Sequence, residues 1–229
     1  MRKWQAIVFD LDDTLYPEAQ YVRSGFGQVA RWSSARLTIP SDRSAAELNS
    51  LFESGVRGNI FDVWLQSHNC DDPRLVNELV RVYREHSPDI EPFEGISELL
   101  SLLKSEYRLG LLSDGYISVQ RRKLQALRLA YHFQSIVFSD EWGRTAWKPN
   151  VRCFAAVAEM LGCAANRIVY VGDNPTKDFV GARRAGFASI WLRQKGLLYT
   201  HLEPETPEHV PDTTVCSVSG LQDALIDKF

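Results

Sequence analysis

Paired cysteines, surplus basic charge and long apolar runs are all missing from this chain of 229 residues, and each absence removes a class of function. The four cysteines, Cys70, Cys153, Cys163 and Cys216, are scattered with no C-x-x-C spacing, so neither a zinc site nor a redox pair is readable and reduced thiols are expected. Lys and Arg number 26 against 29 Asp and Glu, a formal charge of −3. A nucleic-acid backbone is captured by a basic surface, so nucleic acid is not an expected partner. The first apolar stretch is only Ala6 to Phe9 before Asp10. A signal peptide needs about 7–15 apolar residues and a spanning helix about 20, so no membrane partner is expected and the protein reads as cytoplasmic. No internal repeat or low-complexity tract is found, and nothing in the pattern bears on oligomeric state.

What is present is an alternation of two textures. Ala6-Ile7-Val8-Phe9 is continuously apolar and β-branched, as in a strand buried on both faces, and the same texture returns at Leu109 to Leu112, Ile136 to Phe138, Ile168 to Val171 and Ser189 to Leu192. Helical spacing lies between these runs, at Ile96, Leu99, Leu100 and Leu103, at Leu124, Leu127 and Leu129, and at Phe154, Val157, Ala158 and Leu161. Pro149 suits the first turn of the last of these helices. Strand then helix, repeated, predicts an α/β fold built on a Rossmann-like parallel sheet covered on both faces. Pro204, Pro207 and Pro211 then mark an exposed loop, with an edge strand expected at Val215 to Val218 and a helical turn or two over Leu221 to Ile226.

Residues 17–90 break the rhythm and carry helical patterns only, around Tyr21 to Leu37, Ser44 to Phe52, Ile60 to Gln66 and Leu75 to His86. Roughly 75 residues is too long for an ordinary crossover between neighbouring strands. The segment therefore reads as a helical module inserted into the sheet domain. That places the core domain at 1–16 and 91–229 and the module at 17–90, with hinges at Tyr16-Pro17 and Ile90-Glu91-Pro92.

Four short segments then stand out at strand ends or before a helix: Asp10-Leu11-Asp12-Asp13-Thr14, Ser113-Asp114-Gly115, Lys148-Pro149-Asn150, and Gly172 through Asp178. In an open parallel sheet the functional residues gather beyond the carboxyl ends of the strands, so these loops are expected to converge on one crevice. Carboxylates without cysteine or histidine suit a hard cation, which favours magnesium, with Asp10 and Asp173 each able to supply an oxygen. Magnesium and Lys148 would let an anionic carboxylate approach an anionic phosphate, and the Ser113 hydroxyl could donate to a phosphate oxygen. Two aspartates at i and i+2 suit a two-step reaction in which one attacks phosphorus and the other handles the proton.

These segments, their order and the inserted module resemble the haloacid dehalogenase superfamily, in particular its phosphatase-like members with a helical cap after the first core strand. The resemblance implies Asp10 as nucleophile and Asp12 as general acid/base, with the Asp12 backbone carbonyl also on the metal. It implies that Thr14 orients the loop, that Ser113 and Lys148 bind the phosphoryl group with Asp114 beside them, and that Asp173 and Asp178 hold magnesium. The dehalogenases that name the superfamily lack the second aspartate of the first motif, so the presence of Asp12 favours phosphoester chemistry. Position 13 is Asp where many members have Gly, a variant that alters none of these roles.

The activity so implied is hydrolysis of a small phosphomonoester such as a sugar phosphate, nucleoside monophosphate or phospho-acid. A phosphomutase using the same intermediate, a haloacid dehalogenase and a non-catalytic binding protein are the alternatives. Tyr16, Arg23, Phe26, Arg57, Phe61, Trp64 and Tyr116 are candidates for facing a substrate pocket.

Overall fold

The computed structural model describes residues 4–70 and 72–226. Six strands are found among them: β1 (Ala6–Phe9), β2 (Arg108–Ser113), β3 (Ser135–Phe138), β4 (Ile168–Gly172), β5 (Ala188–Leu192) and β6 (Thr213–Val215). They form one sheet in the order β3-β2-β1-β4-β5-β6, and every pair is parallel. All four residues of β1 are fully buried, as its apolar run requires of a central strand covered on both faces. The helices of this part are α5 (Ile96–Lys104), α6 (Ile117–Leu127), α7 (Val151–Leu161), α8 (Asp178–Arg184) and α9 (Val218–Ile226). The inward face of α7, Cys153, Phe154, Val157 and Leu161, packs with Val8, Leu112, Val137 and Tyr170 in one apolar cluster.

Compactness divides the chain into two units, Met1–Glu18 with Glu91–Phe229, and Ala19–Ile90. The second is all helical and holds most of α1 (Glu18–Leu37) together with α2 (Ser41–Glu53), α3 (Ile60–Ser67) and α4 (Pro73–Glu85). Asp72 caps α4 by accepting from the Arg74 backbone N–H, with Pro73 in the first turn. The unit has its own aromatic centre: the Phe26 ring lies 6.2 Å from Phe52, 6.2 Å from Phe61 and 5.9 Å from Tyr83. Trp64 is fully buried and donates its indole N–H to Glu47 Oε2 at 2.9 Å. Phe26, Phe61 and Trp64 thus serve as packing within this unit. Arg57 lies 3.8 Å over the Phe52 ring, and Arg23 reaches Glu53 at 3.5 Å on the surface.

Two boundaries differ from expectation. Pro149 precedes α7 instead of opening it, because the Asn150 side chain accepts from the Arg152 N–H and takes the capping position. Near the end, β6 covers Thr213 to Val215 and α9 starts at Val218. The β-branched triplet forms the strand, and Ser217 Oγ accepts the Gly220 N–H to open the helix. Among the described residues no helix is long and apolar enough to cross a membrane.

Candidate active site

Strand register brings the first, second and fourth motifs together. Phe9 pairs with Leu111 on one side and Val171 on the other, so Asp10, Ser113 and Asp173 leave the sheet within two residues of that level. Chain order reverses across β1, between β2 and β4, which is where an open parallel sheet leaves a crevice. The Asp10 backbone N–H donates to Val171 O at 2.9 Å and fixes the start of the first loop.

Carboxylates of Asp10, Asp173 and Asp178 converge there, all three buried, each offering an oxygen within 4.8 Å of the others. Burial pushes the Asp10 carboxyl up to about 6, against the pull of Lys148 and with the added push of Asp178. Asp173 is raised well above the carboxylate range by burial and by the charges of Asp178 and Asp10. Its Oδ2 is buried with no hydrogen-bond partner among the described residues. Clustered oxygen ligands, mutual repulsion and an orphaned acceptor together fit a hard divalent cation. Gly172 makes the arrangement possible, since a Cβ there would stand 2.5 Å from Asp178 Oδ2.

Lys148 is the cation on the other side of Asp10. Its Nζ is fully buried, 2.8 Å from Asp10 Oδ1, 2.9 Å from Asp178 Oδ1 and 2.8 Å from the Tyr170 hydroxyl. Burial alone would lower its pKa, but Asp10 and Asp178 raise it well above the ordinary lysine value, so it remains an ammonium. One ammonium facing two carboxylates leaves Asp10 only partly compensated.

Asp12 lies apart from the three-carboxylate group and turns toward α6. Lys123 Nζ and the Tyr16 hydroxyl both donate to its Oδ1, the former at 2.6 Å, and Gln120 Nε2 donates to its Oδ2 at 2.7 Å. Burial would raise this carboxyl, but Lys123 and the hydrogen bonds from Lys123, Tyr16 and Gln120 outweigh it and hold it low. Ser113 Oγ is buried and accepts from the same Gln120 Nε2 at 2.6 Å. Thr14 is fully buried, and its hydroxyl has no partner among the described residues. The loop is held by its neighbours instead, with Leu15 N–H on Leu11 O at 2.9 Å and the Asp13 carboxylate accepting from Glu18 N–H at 2.7 Å and Leu198 N–H at 3.1 Å. Asp13, given no role from sequence, adopts a positive φ of 51° and ties this loop to the one after β5.

Asp114 was expected among the phosphate-binding groups, and its surroundings give its side chain other work. Oδ1 accepts from Ser139 Oγ at 2.6 Å and from the Lys148 backbone N–H at 3.0 Å, while Oδ2 holds Lys177 Nζ at 2.9 Å. Burial opposes its charge, but Lys148, Lys177 and these hydrogen bonds hold its pKa down to about 2. An ionised carboxylate has no proton to donate, so a phosphate contact from this residue would have to use its backbone N–H. Tyr116, just beyond, meets the Trp147 ring edge-on at 6.4 Å, with Arg144 5.9 Å over its own ring.

Sequence reasoning missed Gln120, Lys123, Ser139, Tyr170 and Lys177. One signal was available for two of them: Gln120 and Lys123 fall on the inward stripe of α6 with Val119, Leu124 and Leu127. A lysine on a buried stripe calls for a partner.

The family described as haloacid dehalogenase-like hydrolase matches residues 7–192. Over 217 residues the chain is 30% identical to a glyceraldehyde 3-phosphate phosphatase of Methanopyrus kandleri, covering 91% of each chain. It is 25% identical over 235 residues to the pyrimidine 5'-nucleotidase YjjG of Escherichia coli, covering 97% of this chain and 98% of that one. Among solved structures, the magnesium-bound hydrolase YfnB of Bacillus subtilis superimposes with a TM-score of 0.70 at 21% identity, over 98% of this chain and all of the other, a likeness of fold. With the match running from β1 through β5 and past all four motifs, the chain belongs to the haloacid dehalogenase-like hydrolases.

Proposed function

We propose that the protein is a magnesium-dependent phosphatase that hydrolyses a small phosphomonoester through an aspartyl-phosphate on Asp10. The observation that carries this reading is the buried group of Asp10, Asp173 and Asp178 beside the Lys148 ammonium, with a carboxylate oxygen left unpartnered. Relatives named as phosphatases of glyceraldehyde 3-phosphate and phosphoserine, and a nucleotidase, support the phosphomonoester class. Asp10, Asp173 and Asp178 would hold the magnesium ion, and when bound it neutralises charge on the phosphoryl oxygens.

In the first step an Asp10 oxygen attacks phosphorus, the bond from phosphorus to the ester oxygen breaks, and the leaving oxygen takes a proton from Asp12. In the second step water attacks phosphorus, the bond to the Asp10 oxygen breaks, and Asp12 takes the water proton, releasing phosphate. Lys148 balances charge at Asp10 throughout, and the Ser113 hydroxyl would bind a phosphoryl oxygen. The ionised Asp12, holding three donors, is in the form that accepts a proton in the second step. Taking up a proton for the first step means giving up one of those hydrogen bonds.

The test is release of phosphate from an aryl phosphate with and without magnesium, beside the Asp10→Asn variant. Metal-dependent release that falls by at least about a thousandfold in the variant is expected, since the nucleophile is removed. Release that persists in Asp10→Asn overturns the nucleophile assignment.

A further inference from the structure

We infer that Gln120 and Lys123, neighbours on one turn of α6, are positioning residues that set the Asp12 carboxylate and lock it to the phosphoryl-binding serine. The inference rests on the phosphatase reading and adds to it two residues outside the four motifs.

Both side chains are almost wholly buried, Gln120 at 1% and Lys123 at 4% exposure. They are three residues apart on a helix, so they project from the same face. A buried lysine on the inward stripe of a helix is costly unless a carboxylate meets it, and Asp12 does so at 2.6 Å. Gln120 has a different geometry. Its single amide nitrogen reaches Asp12 Oδ2 at 2.7 Å and Ser113 Oγ at 2.6 Å, spending both amide protons on the two groups. Asp12 follows β1 and Ser113 ends β2, so this amide joins the two loops side chain to side chain. The Tyr16 hydroxyl completes the shell at Oδ1. With donors on both oxygens, the Asp12 carboxylate has its torsion and its plane defined from three directions, which backbone placement alone does not provide.

The two residues therefore have distinct kinetic signatures. Lys123 meets the Asp12 carboxylate directly, so its removal acts on proton handling. Gln120 touches Asp12 and Ser113, so its removal acts on proton handling and on phosphoryl binding.

The experiment is steady-state kinetics with p-nitrophenyl phosphate and magnesium for the parent, Lys123→Met, Gln120→Leu, Asp12→Ala and the two double variants carrying Asp12→Ala. Lys123→Met is expected to lower kcat by about tenfold or more with KM within about threefold, and Gln120→Leu to lower kcat and raise KM. In the Asp12→Ala background Lys123→Met is expected to change kcat by less than about twofold, because its target is gone, while the KM effect of Gln120→Leu persists through Ser113. Parent-like kcat in Lys123→Met and Gln120→Leu overturns the inference. So do losses of full size on top of Asp12→Ala. Gln120→Leu changes no charge and remains readable if Lys123→Met does not fold. Absence of phosphate release by the parent would instead count against the phosphatase reading; an active parent, an impaired Asp12→Ala and a parent-like Lys123→Met count against this inference alone.

Discussion

Replacing Lys148 with Met should destabilise the protein strongly without magnesium and much less with it. The ammonium is fully buried between Asp10 and Asp178, at 2.8 and 2.9 Å. Its loss leaves three buried carboxylates within 4.8 Å of one another and removes the ammonium in contact with Asp10. Removing one partner of a buried ion pair costs about 3–5 kcal/mol, because the remaining charge is desolvated and unpaired. For a chain of 229 residues each kcal/mol is worth about 2–4 °C in Tm, so a fall of about 6–20 °C is expected in EDTA. A divalent cation bound by the same carboxylates restores positive charge, and a hundredfold excess over its Kd returns about 2.7 kcal/mol. Differential scanning fluorimetry of parent and variant, each with EDTA or magnesium, reads the four Tm values directly. The expected pattern is a larger magnesium-induced rise in Lys148→Met than in the parent. Equal rises, or a variant as stable as the parent in EDTA, would refute the argument that Lys148 is the internal counter-charge of this cluster.

The Asp10 carboxyl, raised by burial to about 6 from its ordinary 3.8, binds its proton more tightly folded than unfolded. Stability from this group is therefore full below about pH 4 and is lost as pH rises through about 6, with Asp173 acting in the same direction. Metal-free parent should lose more Tm across that window than Asp10→Asn, and identical slopes in thermal melts would contradict the assignment. Gly172→Ala places a methyl 2.5 Å from Asp178 Oδ2 and must displace that carboxylate. Half-saturation by magnesium in the phosphatase assay should rise about tenfold or more, a loss of at least about 1.4 kcal/mol, and an unchanged titration would remove Asp178 from the metal-holding group.

Much of this arrangement is legible in the chain because strand ends and site residues coincide. Asp10 follows the last residue of β1, Ser113 is the last of β2, and Asp173 follows the last of β4. A short apolar run that stops at a polar residue therefore marks both the fold and the site. The same economy fails for groups that reach the site from a helix or from mid-strand. Tyr170 looks like one more apolar residue of β4, yet its hydroxyl meets Lys148. Lys123 and Gln120 are hidden by an ordinary helical pattern, since polarity on the inward stripe is visible only once the helix has been oriented. The aromatic candidates in the helical unit show the opposite difficulty. Aromatic type signals a large contact area, and Phe26, Phe61 and Trp64 use theirs on each other's surroundings. Asp13 shows a further limit: a position that a glycine could fill by conformation alone also accepts two hydrogen bonds, from the backbone N–H groups of Glu18 and Leu198.

Asp114 has a consequence for motion. One carboxylate holds Ser139 after β3, the Lys148 backbone before α7 and the Lys177 ammonium before α8, while its own backbone continues from β2. Loops that share a single acceptor do not loosen one by one, because releasing any of them strips a donor from a buried charge that the others still hold. Local opening at this end of the sheet is therefore expected to be collective, with the amides of these segments exchanging as one cooperative unit. On the proposed mechanism the reacting groups would then keep their mutual register for as long as that unit is closed, through a residue that need not touch the substrate at all.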